Sequence, residues 1–470
     1  MSVRVRLAPS PTGFIHLGTL RVALYDYLFA KQHKGAYVLR IEDTDQSREV
    51  DGSVENILET LAWAGLEPDE GPGYGGEKGS YIQSERLETY RPYVLELLKK
   101  DAAYWCECTS EQLDAMRKHQ EEKGGVMGYA GTCREKNLES GEVVRLKVPH
   151  AGETTFTDLI RGEITIPNKD IDDQVLMKSD GYPTYHMAVV VDDYLMEISH
   201  VFRGEEWIAS TPKHVLLYQA LDWDVPKYAH LPLLLNKDKS KLSKRQGDVA
   251  VEDYMNKGYL PEALLNFIAL QGWNPKGDQE LYSMDELIEL FDISKVNSSG
   301  SVVNFEKLDW MQSHYVKLKS DTDLRALVKP FVTRDVDDVQ LQKIIAMIKD
   351  RLVRFTDIDD IIEFVFVLPE YDSDILVWKK SDKETASTVL AELVGYFEQC
   401  EEVLFDDVEA LQNNLVSWIA DKGYKNGDVL WPLRTALSGQ QHSPSPFEIA
   451  GVLGRDATLS RIENARSRLA

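Results

Sequence analysis

Two stretches of the sequence carry residue types suited to holding a polyphosphate. The first is Ala8-Pro9-Ser10-Pro11-Thr12-Gly13-Phe14-Ile15-His16-Leu17-Gly18-Thr19, which reads as a strand end, a Pro/Gly turn and a helix start. A helix N-terminus offers unpaired N–H groups and the positive end of the dipole, both suited to phosphate. Gly18 would let an anionic group approach the backbone closely. His16 can donate to a phosphate oxygen, or to charge developing on it. The alternative is a tight turn with His16 as the helix cap. The second stretch is Lys239-Ser240-Lys241-Leu242-Ser243-Lys244-Arg245-Gln246-Gly247, a polar loop after the apolar residues 231–235. Four cations in seven residues can grip a triphosphate and offset its developing charge. A solvated basic loop is the alternative. Of the four cysteines, Cys106, Cys108 and Cys133 cluster and Cys400 stands apart. They are too sparse for a disulfide scaffold, and the pattern suits a reducing cytoplasm and a candidate metal site.

Alternating elements must position these groups. Residues 4–7 read as a strand, 17–33 as a helix, 37–41 as a second strand and 50–64 as a second amphipathic helix. Strands alternating with helices of this length predict a parallel sheet. Residues 100–190 break the rhythm with the cysteine cluster, charged helices and short strands such as 143–148, so they read as an insertion. The α/β pattern resumes near Tyr185 and runs through residues 199–203 and 212–221. From Tyr254 the pattern is helical, and residues 261–268 form a helix with Pro261 at its start. After residue 320 helical signals continue without strand alternation, at 341–352, 386–398 and 408–420.

The chain has 470 residues, which predicts two to four domains of roughly 100–200 residues each. No stretch reaches the roughly 18 uninterrupted apolar residues of a membrane span, so no membrane partner is expected. The opening residues are too few and too charged for a signal peptide. The net charge of −25, taken alone, argues against a nucleic-acid partner, because phosphate neutralisation needs Lys and Arg. Binding depends on where the basic residues sit, however, and an acidic protein can carry a local basic face.

The two polyphosphate stretches together resemble the paired signatures of class I aminoacyl-tRNA synthetases. His16-Leu17-Gly18-Thr19 resembles the His-Ile-Gly-His element, and Lys241-Leu242-Ser243-Lys244-Arg245 resembles the Lys-Met-Ser-Lys-Ser element. Within that class, residues 6–13, Arg40-Ile41-Glu42-Asp43-Thr44-Asp45, Gly181-Tyr182-Pro183-Thr184-Tyr185-His186 and Val201-Phe202-Arg203-Gly204-Glu205-Glu206-Trp207 resemble bacterial-type glutamyl-tRNA synthetases. The resemblance implies an α/β fold. A Rossmann-like parallel-sheet catalytic domain (1–99 and 191–235) carries an α+β acceptor-binding insertion (100–190). A connecting region with the lysine loop (236–320) leads to an all-α anticodon-binding domain (321–470).

The resemblance also implies site roles. Arg6, Ser10, Glu42, Tyr185 and Arg203 should line a glutamate pocket. An anionic side chain calls for guanidinium partners, and Arg6 and Arg203 can each pair bidentately with a carboxylate. Glu42 would hold the substrate ammonium; an internal Arg6–Glu42 ion pair is the alternative. His16, Gly18, Lys241 and Lys244 should face the ATP phosphates, and Glu206 the ribose or base. Asp45, Arg48 and Trp207 should approach the tRNA 3′ end, where Trp207 offers a stacking surface. Arg351 falls where an arginine is linked to rejecting the glutamine anticodon, with Arg354 the neighbouring choice. Some members bind zinc at the positions of Cys106, Cys108 and Cys133 with a His two positions further on; here that position is Glu135, Tyr129 is another candidate fourth ligand, and a degenerate site of three reduced cysteines is the alternative.

The implied partners are tRNA-Glu, L-glutamate and ATP with Mg²⁺, in a cytoplasmic monomer. The 321–470 helices and the Thr19 variant of the first signature weigh against a glutaminyl-tRNA synthetase, which carries β-barrels at this end. They also weigh against a glutamyl-queuosine-type paralogue, which lacks the anticodon domain. A catalytically silent tRNA-binding homologue would be expected to have lost His16 or Lys244, and both are present. A nucleotidyltransferase without a tRNA partner would have no use for the helical region.

Overall fold

The computed structural model of the protein describes residues 2–122, 128–242, 250–275 and 277–469. Lys244 therefore lies outside the described residues. The chain divides into two compact units, Met1–Tyr254 with Pro261–Phe305 and Met255–Leu260 with Glu306–Ala470.

In the first unit the expected alternation is present. Strand β1 (Arg4–Leu7) is followed by α1 (Leu17–Gln32), β2 (Ala36–Leu39) and α2 (Ser53–Trp63). β1 and β2 pair in parallel, with Arg6 opposite Val38. α1 is buried on most sides, which is why Leu20, Ala23, Leu24 and Leu28 are all inaccessible. Lys34 takes a left-handed conformation after the helix (φ 52°), and the Gly35 amide closes back on the Ala30 carbonyl at 2.8 Å. Gly35 is required there, since a Cβ would lie 2.2 Å from the Val3 carbonyl oxygen.

The middle of the chain adds α3 (Leu87–Lys99), β3 (Ala103–Cys106), α4 (Ser110–Glu122), β4 (Val143–Leu146), β5 (Glu153–Asp158), β6 (Gly162–Pro167) and β7 (Val175–Met177). β3, β4 and β7 form a separate antiparallel sheet. The β5–β6 hairpin is drawn onto another sheet, of order β6-β5-β9-β8, with β8 at His200–Gly204 and β9 at Lys227–Leu231. β8 and β9 are parallel. The Ser199 amide donates to the Arg4 carbonyl at 2.9 Å and brings β8 beside β1. Helices α5 (Tyr185–Leu195) and α6 (Thr211–Ala220) complete the resumed α/β pattern. Val189, Val190, Val191 and Leu217 meet Leu97, Val144 and Leu176 in one apolar core, which ties the antiparallel sheet to these helices.

The second unit is helical, as its unbroken helical periodicity predicts. Helices at Lys383–Glu398, Asn426–Ser438 and Pro446–Leu469 pack through Leu390, Leu393, Phe397, Leu433, Leu437, Ile449 and Ile462, all buried. The last is two helical segments meeting at Gly454 (φ 75°). The helix expected over 341–352 spans Asp338–Ile348. Arg351 lies in the turn beyond it, exposed, with Nη2 donating to the Ser443 carbonyl at 2.7 Å. Arg354 pairs with Asp357 at 2.9 Å. Among the described residues no helix is long and apolar enough to cross a membrane.

Candidate functional site

The turn between β1 and α1 is held from three sides. The Pro9 carbonyl accepts from the Glu42 amide at 3.0 Å, and the Pro11 carbonyl from the Val50 amide at 2.9 Å. Asn56 Oδ1 on α2 accepts from the Ile15 amide at 3.1 Å. The chain then enters α1 with His16 as the N-cap, its Nδ1 accepting from the Thr19 amide at 3.2 Å. The capping role and the exposed position of His16 coexist, so its ring is oriented by the helix it faces. A Cβ on Gly18 would press against that ring at 3.1 Å. Glycine there keeps the helix mouth open and leaves the imidazole its place.

Lys241 reaches the same place by another route. After Leu234–Leu235 the chain turns at Asn236–Ser240, with Lys239 in a left-handed conformation (φ 65°). Leu235 then bridges Lys241 in antiparallel fashion, and the Leu242 amide donates to Leu234 at 3.0 Å. A cavity of about 640 Å³ is lined by His16, Gly18 and Lys241 together with Arg6, Ser10, Glu42, Arg48, Tyr185, Arg203, Glu206 and Trp207. Asp45 does not line it. Its carboxylate instead holds Arg48 Nε at 2.7 Å on the surface. Arg351 belongs to the second unit, and Cys106, Cys108 and Cys133 sit elsewhere in the first.

Two of the lining residues, Arg6 and Glu42, belong to a buried charge cluster. Arg6 Nε donates to Asp193 at 3.1 Å, and Arg40 Nη2 reaches both Asp193 (2.8 Å) and Glu42 (3.1 Å). The internal pair foreseen between Arg6 and Glu42 is thus divided between Arg6–Asp193 and Arg40–Glu42. Burial opposes ionisation of Asp193, but Arg6 and Arg40 outweigh it and hold its carboxyl below the usual range. Glu42 is pushed up to about 7 by burial, against the pull of Arg40 and Arg6.

Arg203, 6% exposed, is held differently. Nε donates to His230 Nε2 (3.1 Å), one Nη to the Tyr185 hydroxyl (3.2 Å) and to His214 Nδ1 (3.3 Å), and the other to Thr211 Oγ1 (2.7 Å). Four of its five N–H groups are committed, so the bidentate fork expected of it is unavailable; one Nη–H remains. Trp207 packs against Tyr185 with ring centroids 4.5 Å apart and planes tilted by 35°, and stays half-buried.

Sequence reasoning gave no role to Arg40, Asp193, His214, His230 or Thr211. Arg40 stood inside a quoted motif, alternating with Glu42 on one strand face, which was a usable signal. The others carry none, because their partners are far away in sequence.

The cysteines form a compact group. Cys106, Cys108 and Cys133 hold their sulfurs within 4.8 Å of one another. The Tyr129 hydroxyl lies 3.3 Å from Cys106 Sγ and 3.4 Å from Cys108 Sγ, and accepts from the Cys133 amide at 3.0 Å. Burial opposes ionisation of Cys106, yet Tyr129 and Arg145 bring its thiol down to about 7. Glu135 does not join the group: its side chain is 81% exposed and turned to Arg134. The three sulfurs are thiolate donors of the kind zinc takes, and the oxygen beside them is the Tyr129 hydroxyl, not the Glu135 carboxylate.

A family model described as tRNA synthetases class I (E and Q), catalytic domain, matches residues 2–310, and one described as Anticodon binding domain matches residues 323–466. A glutamate–tRNA ligase of Chloroherpeton thalassium is 44% identical over 100% of this chain and 98% of its own. One of Clostridioides difficile is 43% identical over the whole of both chains. The solved structure of a glutamate tRNA ligase from Elizabethkingia meningosepticum, in complex with its amino acid, is 37% identical, covers all of both chains and superposes with a TM-score of 0.89. With His16, Gly18 and Lys241 lining one cavity, and both family models and full-length relatives in agreement, the chain belongs to the glutamate–tRNA ligase family of class I tRNA synthetases.

Proposed function

We propose that the protein activates L-glutamate with ATP and transfers it to the 3′-terminal adenosine of tRNA-Glu. One observation carries this reading: a single cavity collects His16, Gly18 and Lys241, far apart in the sequence of the first unit, together with Arg6 and Arg203. A site of this kind works by positioning and charge stabilisation rather than covalent catalysis. The glutamate α-carboxylate attacks the α-phosphorus of ATP and pyrophosphate leaves. A ribose hydroxyl of the tRNA then attacks the acyl carbonyl, and AMP leaves.

Arg6, Ser10, Glu42, Tyr185 and Arg203 take the amino acid, with Glu42 facing its ammonium. His16, Gly18, Glu206 and Lys241, with Lys244, take ATP. Mg²⁺, when bound with ATP, neutralises phosphate charge. Asp45, Arg48 and Trp207 meet the acceptor end, and Arg351 an anticodon. Cys106, Cys108, Cys133 and Tyr129 would hold a zinc ion that braces the antiparallel sheet. Activation that requires bound tRNA, and a cytoplasmic monomer, complete the reading.

The test is aminoacylation of purified tRNA-Glu and tRNA-Gln with labelled glutamate and labelled glutamine. Glutamate on tRNA-Glu alone is expected, and it supports a specificity role for Arg351. Glutamate on both tRNAs would remove that role. Transfer of glutamine, or of neither amino acid, would overturn the reading.

A further inference from the structure

Arginine has no acceptor atom, so the protons around Arg203 follow from its four contacts. His230 Nε2 accepts from it, which places the His230 proton on Nδ1, where it donates to Asp158 at 2.6 Å. His214 Nδ1 accepts from it, so the His214 proton sits on Nε2 and donates to His186 Nδ1 at 2.9 Å. Thr211 donates its own proton to the Trp207 carbonyl at 2.8 Å and accepts from Arg203. One self-consistent tautomer set satisfies these contacts, with Thr211 Oγ1 and His230 Nε2, 3.2 Å apart, both accepting from Arg203. Burial, with Arg203 beside it, pushes His214 well below its usual range and keeps it neutral; burial does the same to His230, against Asp158.

All four partners of Arg203 are therefore uncharged. Among the described residues Arg203 makes no ion pair, whereas Arg6 and Arg40 are each matched by a carboxylate. Asp158 is one imidazole removed. Among the described residues the positive charge of Arg203 is left uncompensated at the cavity wall, with one N–H free of protein acceptors. A buried, unmatched cation attracts an anion far more than its neutral isostere, because no protein charge offsets it.

We propose that His214 and His230 are positioning residues that lock the Arg203 guanidinium in place without neutralising it, and so make the cavity select a carboxylate over a carboxamide. This deepens the glutamate reading above and rests on it. A carboxylate in place of either imidazole would hold the guanidinium equally well and cancel the selection.

The experiment is tRNA-dependent exchange of labelled pyrophosphate into ATP, measured with glutamate and with glutamine. The variants are H214L, H214N and H214D, with H230Q in parallel. Asparagine returns an acceptor near the Nδ1 position, and aspartate adds charge at the same shape. H214L is expected to raise the glutamate KM on the order of tenfold, with the ATP KM unmoved, and H214N and H230Q to recover most of the activity. H214D is expected to narrow the glutamate-to-glutamine ratio of kcat/KM at least about tenfold relative to H214N. The Asn–Asp pair carries the test if H214L does not fold. An unchanged ratio in H214D, or glutamate and ATP KM values rising together in H214L and H214N alike, would overturn the positioning role alone. A wild-type protein that activates no glutamate would overturn both readings.

Discussion

In the first unit Arg6, Asp26, Arg40, Glu42, Arg86, Asp158, Asp192, Asp193 and Arg203 are among the buried polar side chains. Those of the second unit, among the described residues, are Gln312, Thr435, Ser438, Ser443 and Thr458, none of them charged. Burying a charge costs far more than burying an amide or hydroxyl unless it is paired and hydrogen-bonded. A fold that accepts this cost repeatedly in one unit and avoids it in the other is built for two tasks. The first unit arranges fixed charges around a cavity for charged ligands. The second is held by apolar helix packing and keeps its charges for the surface.

The comparison breaks most directly at Asp193, which joins Arg6 and Arg40. Asp193→Asn leaves buried guanidinium groups short of a counter-charge and should destabilise the first unit by about 3–5 kcal/mol. Hydrogen exchange of β1 and β2 amides in urea reads this locally. A loss below about 1 kcal/mol would mean that Glu42 and Asp192 already balance the cluster. In the second unit Leu390→Ala, a fully buried position, should cost about 2–5 kcal/mol by the cavity it leaves, and should leave glutamate activation intact. Impaired activation at full stability would contradict the division of labour.

Glu42 sharpens the comparison through pH. Its carboxyl is pushed up to about 7 by burial, so the folded state holds a proton that the unfolded chain gives up near 4.5. That contribution to stability is fully present below pH 4.5 and is lost as pH rises through 7, at up to about 1.4 kcal/mol per pH unit. Melting of wild type and Glu42→Gln between pH 5 and 8 should converge at the acid end and diverge at the alkaline end. Binding of glutamate at pH 7 should release a proton, detectable by calorimetry in buffers of different ionisation enthalpy, and Glu42→Gln should abolish it. The smallest effect belongs to Thr435, whose hydroxyl donates to Trp431 one helical turn back at 2.9 Å. Thr435→Val should change stability by less than about 1 kcal/mol, since the carbonyl keeps its helical partner.

Much of this molecule was legible from local chemistry. The strand at Arg4–Leu7, the Pro/Gly turn and the helix from Leu17 to Gln32 lie where periodicity and turn residues place them. The helical second unit follows from the same periodicity; the helices read from 341 and 386 begin three residues earlier, at Asp338 and Lys383, and the first ends at Ile348, where a turn at Lys349–Arg351 stops α-helical pairing. The resemblance-based residues Arg6, Ser10, His16, Glu42, Tyr185, Arg203 and Lys241 do share one cavity. Glu135 was set beside Tyr129 as an alternative ligand because both sit near Cys133 in sequence; the fold turns one outward and the other onto the sulfurs.

Turn type, helix phase and motif spacing depend on neighbours a few residues away, so the linear chain alone specifies them. Which buried charge meets which partner does not. Arg6 on β1 finds Asp193 on α5 across 187 positions of sequence, and Arg203 finds His230 only because β8 and β9 pair in parallel. Hydrogen bonds act over about 3 Å and are indifferent to separation along the chain. Whether an arginine is neutralised or left positive was therefore decided by tertiary packing.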